Sequence, residues 1–228
     1  MKYPAISLLL LCAILFPSCD KTENEEWLTD TFLRSVPARE YTAIDLGLSV
    51  KWADCNIGGL KSWRNSEYFA WGETTAKSAY TWDNYQFYSS ENPSSFVKYN
   101  ETDGLLFLQG QDDPATALMG AGWRLPTKEE FSQLLNNCDW SISTKNGSEV
   151  ITATSKKNGA SIDFQLMGYI DTKTKKYADT HGFYWSSELV GNTRTEAYII
   201  DFDTKKDEIT IEVGDRPLGL CVRGVRAD

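Results

Sequence analysis

The apolar positions of residues 131–138 recur with a helical period and predict the main helix of the chain. They stand at the spacing i, i+3, i+4 and i+7, in Phe131, Leu134, Leu135 and Cys138. Thr127 and Glu130 have the spacing of a capping box, in which each side chain accepts a hydrogen bond from the other residue's backbone amide. Pro126 disfavours a helical conformation at Leu125. We therefore expect the helix to begin directly after Thr127.

Alternation of apolar and polar residues predicts several short strands and the turns between them. Residues 41–52 alternate around Gly47, which predicts two strands joined by a turn. The Asn-Gly pairs at 146–147 and 158–159 each predict a tight hairpin turn. Further strands are expected at 150–154, 163–166, 197–202, 208–213 and 220–226.

Residues 63–99 are rich in aromatic side chains but have little periodicity, which predicts a long loop region held in place by packed rings. Asp113 and Pro114 then predict the N-cap and the first residue of a short helix that ends at Gly120. These patterns together indicate an α+β fold with one main helix, short antiparallel strands and long loops.

The N-terminal residues 1–18 have the pattern of a signal peptide. Lys2 precedes an apolar run at 6–16 that is too short to span a bilayer as a permanent helix. The ending Pro17-Ser18-Cys19 resembles a bacterial lipobox, which implies cleavage before Cys19 and lipidation of that residue. The alternative is an ordinary secretory signal with an incidental cysteine. Residues 19–40 are polar and acidic and are expected to form a flexible tether, followed by one domain at 41–228.

The formal net charge of −9 limits the possible partners of this protein of 228 residues. Cleavage of the signal peptide removes Lys2 and makes the charge one unit more negative. Nucleic acid needs Lys and Arg for its phosphates, so it is excluded as a partner. The same charge opposes peripheral binding to anionic lipid, so the expected contact with a membrane is through the lipid anchor alone.

Cysteine and histidine content argues against a structural zinc site. No cysteine pair has the spacing Cys-x-x-Cys, and His181 is the only histidine. With Cys19 lipidated, three cysteines remain in the mature chain, which outside the cytoplasm allows one disulfide and one thiol. Asp201, Asp203, Asp207 and Glu208 either hold a hard cation or form a solvated hairpin turn. We assign no metal and no cofactor.

Seven segments, in order, resemble one known family. They are DLGLSVKWA (45–53), YFAWGET (68–74), DDPA (112–115), GWRLPT (122–127), GY (168–169), GFYWSS (182–187) and LGLCVR (218–223). Together they resemble the Fibrobacter succinogenes major paralogous domain, which is found in lipoproteins of Bacteroides type and is similar to C-type lectin-like domains. The resemblance implies a C-type lectin-like fold, an outer-membrane location at the cell surface, and a disulfide between Cys55 and Cys138. The acidic residues after Cys19 resemble a surface-export signal, and a simple spacer is the alternative.

The resemblance does not extend to an enzymatic site. Related formylglycine-generating enzymes use paired cysteines near the C-terminus, whereas Cys221 stands alone in that region. The calcium and sugar loops of true C-type lectins are not matched either, since residues 91–93 read Glu-Asn-Pro and 185–187 read Trp-Ser-Ser. His181 is expected to be structural or exposed rather than a catalytic base. We therefore expect a protein that is not an enzyme.

Exposed rings among small polar residues predict a binding surface for a glycan or a protein ligand, because rings give a large contact area at low entropic cost. Trp63, Trp82 and Tyr85 are candidates, since polar residues flank them. The resemblance implies further binding residues in the loop 188–195, where Asn192 and Arg194 lie. The expected function is adhesion or carbohydrate binding in the cell envelope. The alternatives are a structural or tip subunit of a fimbria-like assembly and a cryptic glycoside hydrolase.

Overall fold

The two ends of the described chain meet in a small antiparallel sheet. The computed structural model describes residues 40–58, 66–89, 96–145 and 147–227. In it, β1 (Ala43–Ile44) pairs with β2 (Lys51–Ala53), and β2 pairs with β11 (Val225–Arg226). The expected pair of strands around Gly47 is confirmed. The predictions for Cys19, Trp63 and residues 1–39 concern positions outside the described residues.

The last predicted strand is shorter than the alternating pattern indicated. Only Val225 and Arg226 form a regular strand, whereas 220–226 was expected. Leu220 and Cys221 make single antiparallel and parallel bridges to two other segments of the core instead. Residues 220–225 are all buried, so the alternation in sequence corresponds here neither to a solvent-exposed side nor to a continuous ladder of hydrogen bonds.

The remaining strands of the described chain form three antiparallel sheets. The first contains β3 (Cys138–Lys145), β4 (Ser148–Ser155) and β5 (Ser161–Gln165) in sequence order. The second is the hairpin of β6 (Tyr169–Asp171) and β7 (Thr174–Lys176). The third contains β8 (His181–Leu189), β9 (Glu196–Asp203) and β10 (Glu208–Asp215), with β9 in the centre. The predicted strands at 150–154, 163–166, 197–202 and 208–213 are all confirmed.

Both helices of the described chain begin where their capping residues predict. In α1 (Pro114–Met119), Oδ1 of Asp113 accepts hydrogen bonds from the amides of Ala115 and Thr116. In α2 (Lys128–Asn137), the Glu130 amide donates to the Thr127 hydroxyl (3.2 Å), and the Thr127 amide donates to the Glu130 carboxylate (2.8 Å). Cys138 lies one residue beyond α2, because its extended backbone (φ −118°, ψ 150°) begins β3.

Part of the core lies between α2 and one face of the β8–β9–β10 sheet, and Trp185 on the other face is fully buried as well. Register places Tyr184 and Phe202 on this face, and both are fully buried. Phe164 from β5 packs against Phe202 with ring centroids 4.8 Å apart, and Phe131 from α2 packs against Trp52 at 5.8 Å. Large rings from five separate elements therefore supply the packing that holds the small sheets together.

A buried arginine organises the loop-rich aromatic region. Arg216 is fully buried, and the carbon at the centre of its guanidinium lies 4.2 Å from the ring centroid of Phe96. Its Nε donates to the hydroxyl of Tyr85 (2.9 Å), and its Nη2 donates to the carbonyl of Lys98 (3.3 Å). Burial lowers the pKa of Arg216. The rings expected to hold this region together therefore do so around a central cation.

The α+β architecture with antiparallel strands is as expected from the sequence. Residues 40–228 form one unit, which contains all of these elements. Short strands in small sheets leave long connections, and these connections carry the surfaces described next.

Candidate functional site

Two loops at one end of the β8–β9–β10 sheet carry two of the predicted binding residues. Segment 105–108 runs beside the end of β8: the Leu108 amide donates to the Ser187 carbonyl (2.9 Å), and the Leu189 amide donates to the Leu106 carbonyl (2.8 Å). The loop 190–195 joins β8 to β9 next to this segment. We call the surface formed by Leu106, Phe107, Asn192 and Arg194 the Phe107 surface.

Apolar and polar side chains are exposed side by side on the Phe107 surface. Leu106 is 37% exposed and Phe107 is 47% exposed, and Asn192 is exposed as well. A Cβ added to Gly191 would lie 3.5 Å from Cδ2 of Leu106, so the two loops are in contact. Sequence reasoning missed Leu106 and Phe107, although the apolar run 105–108 between polar segments marks them.

Arg194 joins the two loops to each other and to the core. Its Nη1 donates to the carbonyl of Leu105 (2.9 Å), and its own carbonyl accepts from Nη1 of Arg216 (2.9 Å). The backbone of Arg194 has φ 57°, in the left-handed region that non-glycine residues rarely adopt. Such strained positions are concentrated at functional sites. Arg194 therefore fixes the shape of the loop and leaves only part of its side chain in contact with solvent.

Two of the three predicted aromatic contacts lie in the described chain, and their environments differ. Tyr85 is only 2% exposed, and its hydroxyl donates to the carbonyl of Trp71 (2.7 Å) while accepting from Arg216. The ring of Tyr85 thus packs in the core and is not accessible to a ligand. Trp82 is half-buried and packs against Tyr88 with ring centroids 5.3 Å apart. Part of the Trp82 ring remains available for contact.

The acidic hairpin uses its carboxylates within the protein. Asp203 accepts hydrogen bonds from the amides of Lys205 (2.9 Å) and Lys206 (3.2 Å). Burial acts to raise the pKa of Asp203, but these two hydrogen bonds outweigh it and lower the pKa. Within the described ranges, no group of three or more histidine, cysteine or acidic side chains is arranged to hold a metal ion. Asp207 and Glu208 are exposed whereas Asp203 is buried, so only the tip of this hairpin has the character of a solvated turn.

His181 lies between two carboxylates. Its Nδ1 is 3.0 Å from Oδ1 of Asp201, and its Nε2 is 3.5 Å from Oδ1 of Asp203. A cleft on the other side of Asp203, lined also by Trp140 and Ile142, has a volume of about 50 Å³. Sites for small molecules usually measure about 300–1,000 Å³, so this cleft is too small for one.

Cys55 and Cys138 are both buried and are free thiols in this structure, whereas the family resemblance implies a disulfide between them. Cys138 belongs to the main apolar cluster and lies near Lys156 and Asp139, whereas Cys55 lies near the guanidinium of Arg223. The two cysteines therefore have different surroundings. The third described cysteine, Cys221, is buried too, as its alternating context predicted.

No family model, curated protein or solved structure matches this chain. Over the described ranges, no helix is both long and apolar enough to cross a membrane. Evidence for a function therefore comes from the chemistry of the exposed surfaces of the domain.

Proposed function

We propose that this protein is a lipid-anchored binding protein of the outer membrane that recognises a glycan or protein ligand at the cell surface without catalysis. In this proposal Cys19 carries the lipid anchor, and the acidic residues 19–40 hold the domain away from the membrane. The domain from residue 41 onward has the C-type lectin-like fold and binds through its loops.

Two features of the architecture support the lectin-like assignment. A domain of this type is expected to bring its ends together in a small sheet, and β1, β2 and β11 pair in this way. It is also expected to present long loops from a small regular frame. Residues 66–89 and 96–113 contain only single bridges and 3-10 turns, so nearly all of this region is irregular.

The single observation that carries the binding proposal is the Phe107 surface. Phe107 and Leu106 expose apolar area, while Asn192 beside them offers amide donors and acceptors. Interfaces that bind other molecules combine apolar anchors with a polar rim in this way. The two loops are also tied to the core through Arg194 and Arg216, so that little conformational entropy is lost on binding.

A binding screen with matched variants tests this proposal. The chain from Glu25 onward, which contains the whole described unit, is probed on a glycan array and used to capture surface proteins. Phe107→Ala and Asn192→Ala should weaken the ligand found by about tenfold or more, as expected for central contacts. Val213→Ala is the control, because Val213 is 42% exposed but lies on β10, outside the Phe107 surface.

Equal binding by the Phe107→Ala, Asn192→Ala and Val213→Ala variants would remove the Phe107 surface from the proposal. Turnover of a labelled polysaccharide, abolished by substitution of a single Asp or Glu, would replace the non-catalytic role with that of a hydrolase.

A subunit role in a fimbria-like assembly is the second candidate, and the edge of β10 favours it. Within the described residues β10 pairs with β9 alone, so its outer edge leaves backbone groups available to another chain. Concentration-dependent self-association of the purified monomer, measured by sedimentation, would support this candidate.

A further inference from the structure

A cluster of aromatic rings lies on the face of the β8–β9–β10 sheet that carries His181 and Phe183, at the end away from the Phe107 surface. It consists of Tyr169 on β6, Tyr177 just after β7, and His181 and Phe183 on β8, and we call it the Tyr177 platform. The Tyr177 ring centroid is 5.8 Å from that of Tyr169 and 5.0 Å from that of His181. The rings of His181 and Phe183 are stacked, with centroids 5.2 Å apart. The four rings thus form one packed cluster, in which Tyr177 is exposed, Tyr169 and His181 are half-buried and Phe183 is buried.

Tyr177 is presented to solvent by a backbone that the rest of the fold holds in place. Its side chain is 57% exposed, yet its φ of 56° lies in the left-handed region, which is unfavourable for an aromatic residue. The carbonyl of Tyr177 accepts hydrogen bonds from the amide of His181 (2.9 Å) and from the hydroxyl of Thr180 (3.1 Å). Strain that the surroundings maintain around an exposed side chain is typical of binding sites.

Close packing behind Tyr177 adds to this constraint. Gly168 has φ 62°, and a Cβ added there would lie 1.9 Å from the carbonyl oxygen of Lys176. Only glycine therefore fits at this position, and it allows the segment 176–178 to approach the β6 strand.

Polar groups of both signs surround the platform. The carboxylate of Asp201 faces Nδ1 of His181, and register places Asp201 directly opposite Phe183 on the same sheet face. On the other side, Nζ of Lys176 donates to the carboxylate of Asp171 (2.6 Å) and lies 5.9 Å from the ring centroid of Tyr169. Carboxylate acceptors and an ammonium donor thus lie around the cluster, whose exposed ring is Tyr177.

We propose that the Tyr177 platform is a second binding site, which takes a pyranose ring of an uncharged glycan. The apolar C–H face of the sugar packs on the Tyr177 ring, as rings bury large areas of this kind with few rotatable bonds. The hydroxyls of the sugar donate to the carboxylates of Asp201 and Asp171 and accept from the ammonium of Lys176. This site is independent of the proposed function of the Phe107 surface, since the eight residue steps from His181 to Leu189 span about 26 Å of strand.

The charges around the platform decide between classes of ligand. A cationic ligand would have to displace cations that the protein already supplies, because Lys176 pairs with Asp171 and lies near the Tyr169 ring. An anionic sugar would approach Asp171, Asp201 and Asp203, and these carboxylates would repel it. An uncharged sugar meets neither obstacle and can use donors and acceptors of the platform together.

Substitution of Tyr177 by asparagine provides the test, because asparagine tolerates the left-handed conformation and removes the ring. The full-length protein, purified in detergent, is screened on an array of uncharged and charged glycans, and hits are titrated by NMR. Tyr177→Asn should weaken the uncharged hits by about tenfold or more, whereas Tyr177→Phe should keep them within about threefold. Phe107→Ala is the matched control, since it removes an exposed ring from the other site and should leave these hits unchanged.

Three outcomes would overturn this inference. They are an array without uncharged hits, hits restricted to charged sugars, and equal binding by the wild type and a folded Tyr177→Asn variant. Thermal unfolding of Tyr177→Asn at or above the wild-type temperature identifies the variant as folded. Loss of binding in Phe107→Ala alone would instead assign the glycan to the Phe107 surface, so the two proposals fail separately.

Discussion

Replacement of Arg216 should unfold the aromatic region, and two variants separate the reasons. Arg216→Met removes the charge and all donors but keeps much of the apolar stem. Arg216→Lys keeps the charge but replaces the planar guanidinium by a single ammonium. Because the side chain is fully buried, neither variant can be compensated by water without opening the loops that surround it.

The magnitude follows from the acceptors that would lose their donor. Two contacts have full hydrogen-bond geometry, to the Tyr85 hydroxyl and the Arg194 carbonyl, each at 2.9 Å. Two longer ones reach the carbonyls of Lys98 (3.3 Å) and Tyr99 (3.4 Å) and count for less. A buried acceptor left without a partner costs about 1–3 kcal/mol, while removal of the desolvated cation recovers part of this loss. We expect Arg216→Met to lower the free energy of unfolding by about 3 kcal/mol.

Arg216→Lys should be at least as destabilising as Arg216→Met, because it leaves a buried charge with fewer partners. Urea unfolding followed by tryptophan fluorescence gives both free energies of unfolding. Amide hydrogen exchange at Thr195 then reports whether the loop 190–195 is released. Arg226→Met is the control, since the exposed Arg226 side chain only lies near the ring of Trp123 and its loss should cost about 0.5 kcal/mol or less.

Losses below about 1 kcal/mol in both Arg216 variants would refute the reasoning, because the unpaired acceptors alone should cost more. A lysine variant clearly more stable than the methionine variant would show that charge, and not the planar set of donors, holds these loops.

Three further predictions follow from the fold. Burial opposes ionisation of Glu130, but hydrogen bonds from Arg124 and Thr127 outweigh this effect and lower the pKa of Glu130. The stabilisation that ionised Glu130 gives to the fold is therefore fully present above the unfolded pKa of about 4.3 and is lost as pH falls through the folded pKa. Glu130→Gln should therefore differ most from the wild type in urea unfolding near pH 7, and a difference unchanged at pH 3 would contradict this. Burial raises the pKa of Cys221 to about 11, so iodoacetamide at pH 8 should label it only after unfolding, and rapid labelling of the native protein would oppose its burial. Gly168→Ala should lower the thermal unfolding temperature by more than Gly159→Ala, since both glycines have positive φ but only Gly168 lacks room for a Cβ. Equal shifts in the two variants would contradict the close approach of the Lys176 carbonyl to Gly168.

Local signals in the sequence identified the helices and most strands correctly. The Thr127–Glu130 capping box and the Asp113–Pro114 pair each act within four residues, so both can be recognised from the sequence without knowledge of the fold. The connection between β3 and β4 falls at the predicted Asn-Gly position, with Lys145 paired to Ser148. The connection at 158–159 belongs to a longer loop, because Thr154 pairs with Ser161.

The candidate sites depended on contacts distant in sequence, and these could not be predicted. Tyr85 looked exposed from its polar neighbours, yet Arg216, 131 residues away, holds its hydroxyl in the core. Tyr177 and Phe107 give no periodic signal, and their exposure depends on how separate loops are held. The implied disulfide depends on distant contacts too, since a bond between Cys55 and Cys138 requires the fold to bring two element boundaries together.

The β1–β2–β11 sheet constrains when the domain can finish folding during its synthesis. Val225 pairs with Trp52, so the sheet can be completed only after residue 225 has been made. Its closure spans a very long loop, which makes this step entropically slow relative to the local hairpins. A nascent chain would therefore lack this sheet until residue 225 has been made, and deletion of residues 225–228 should leave a product that proteases degrade.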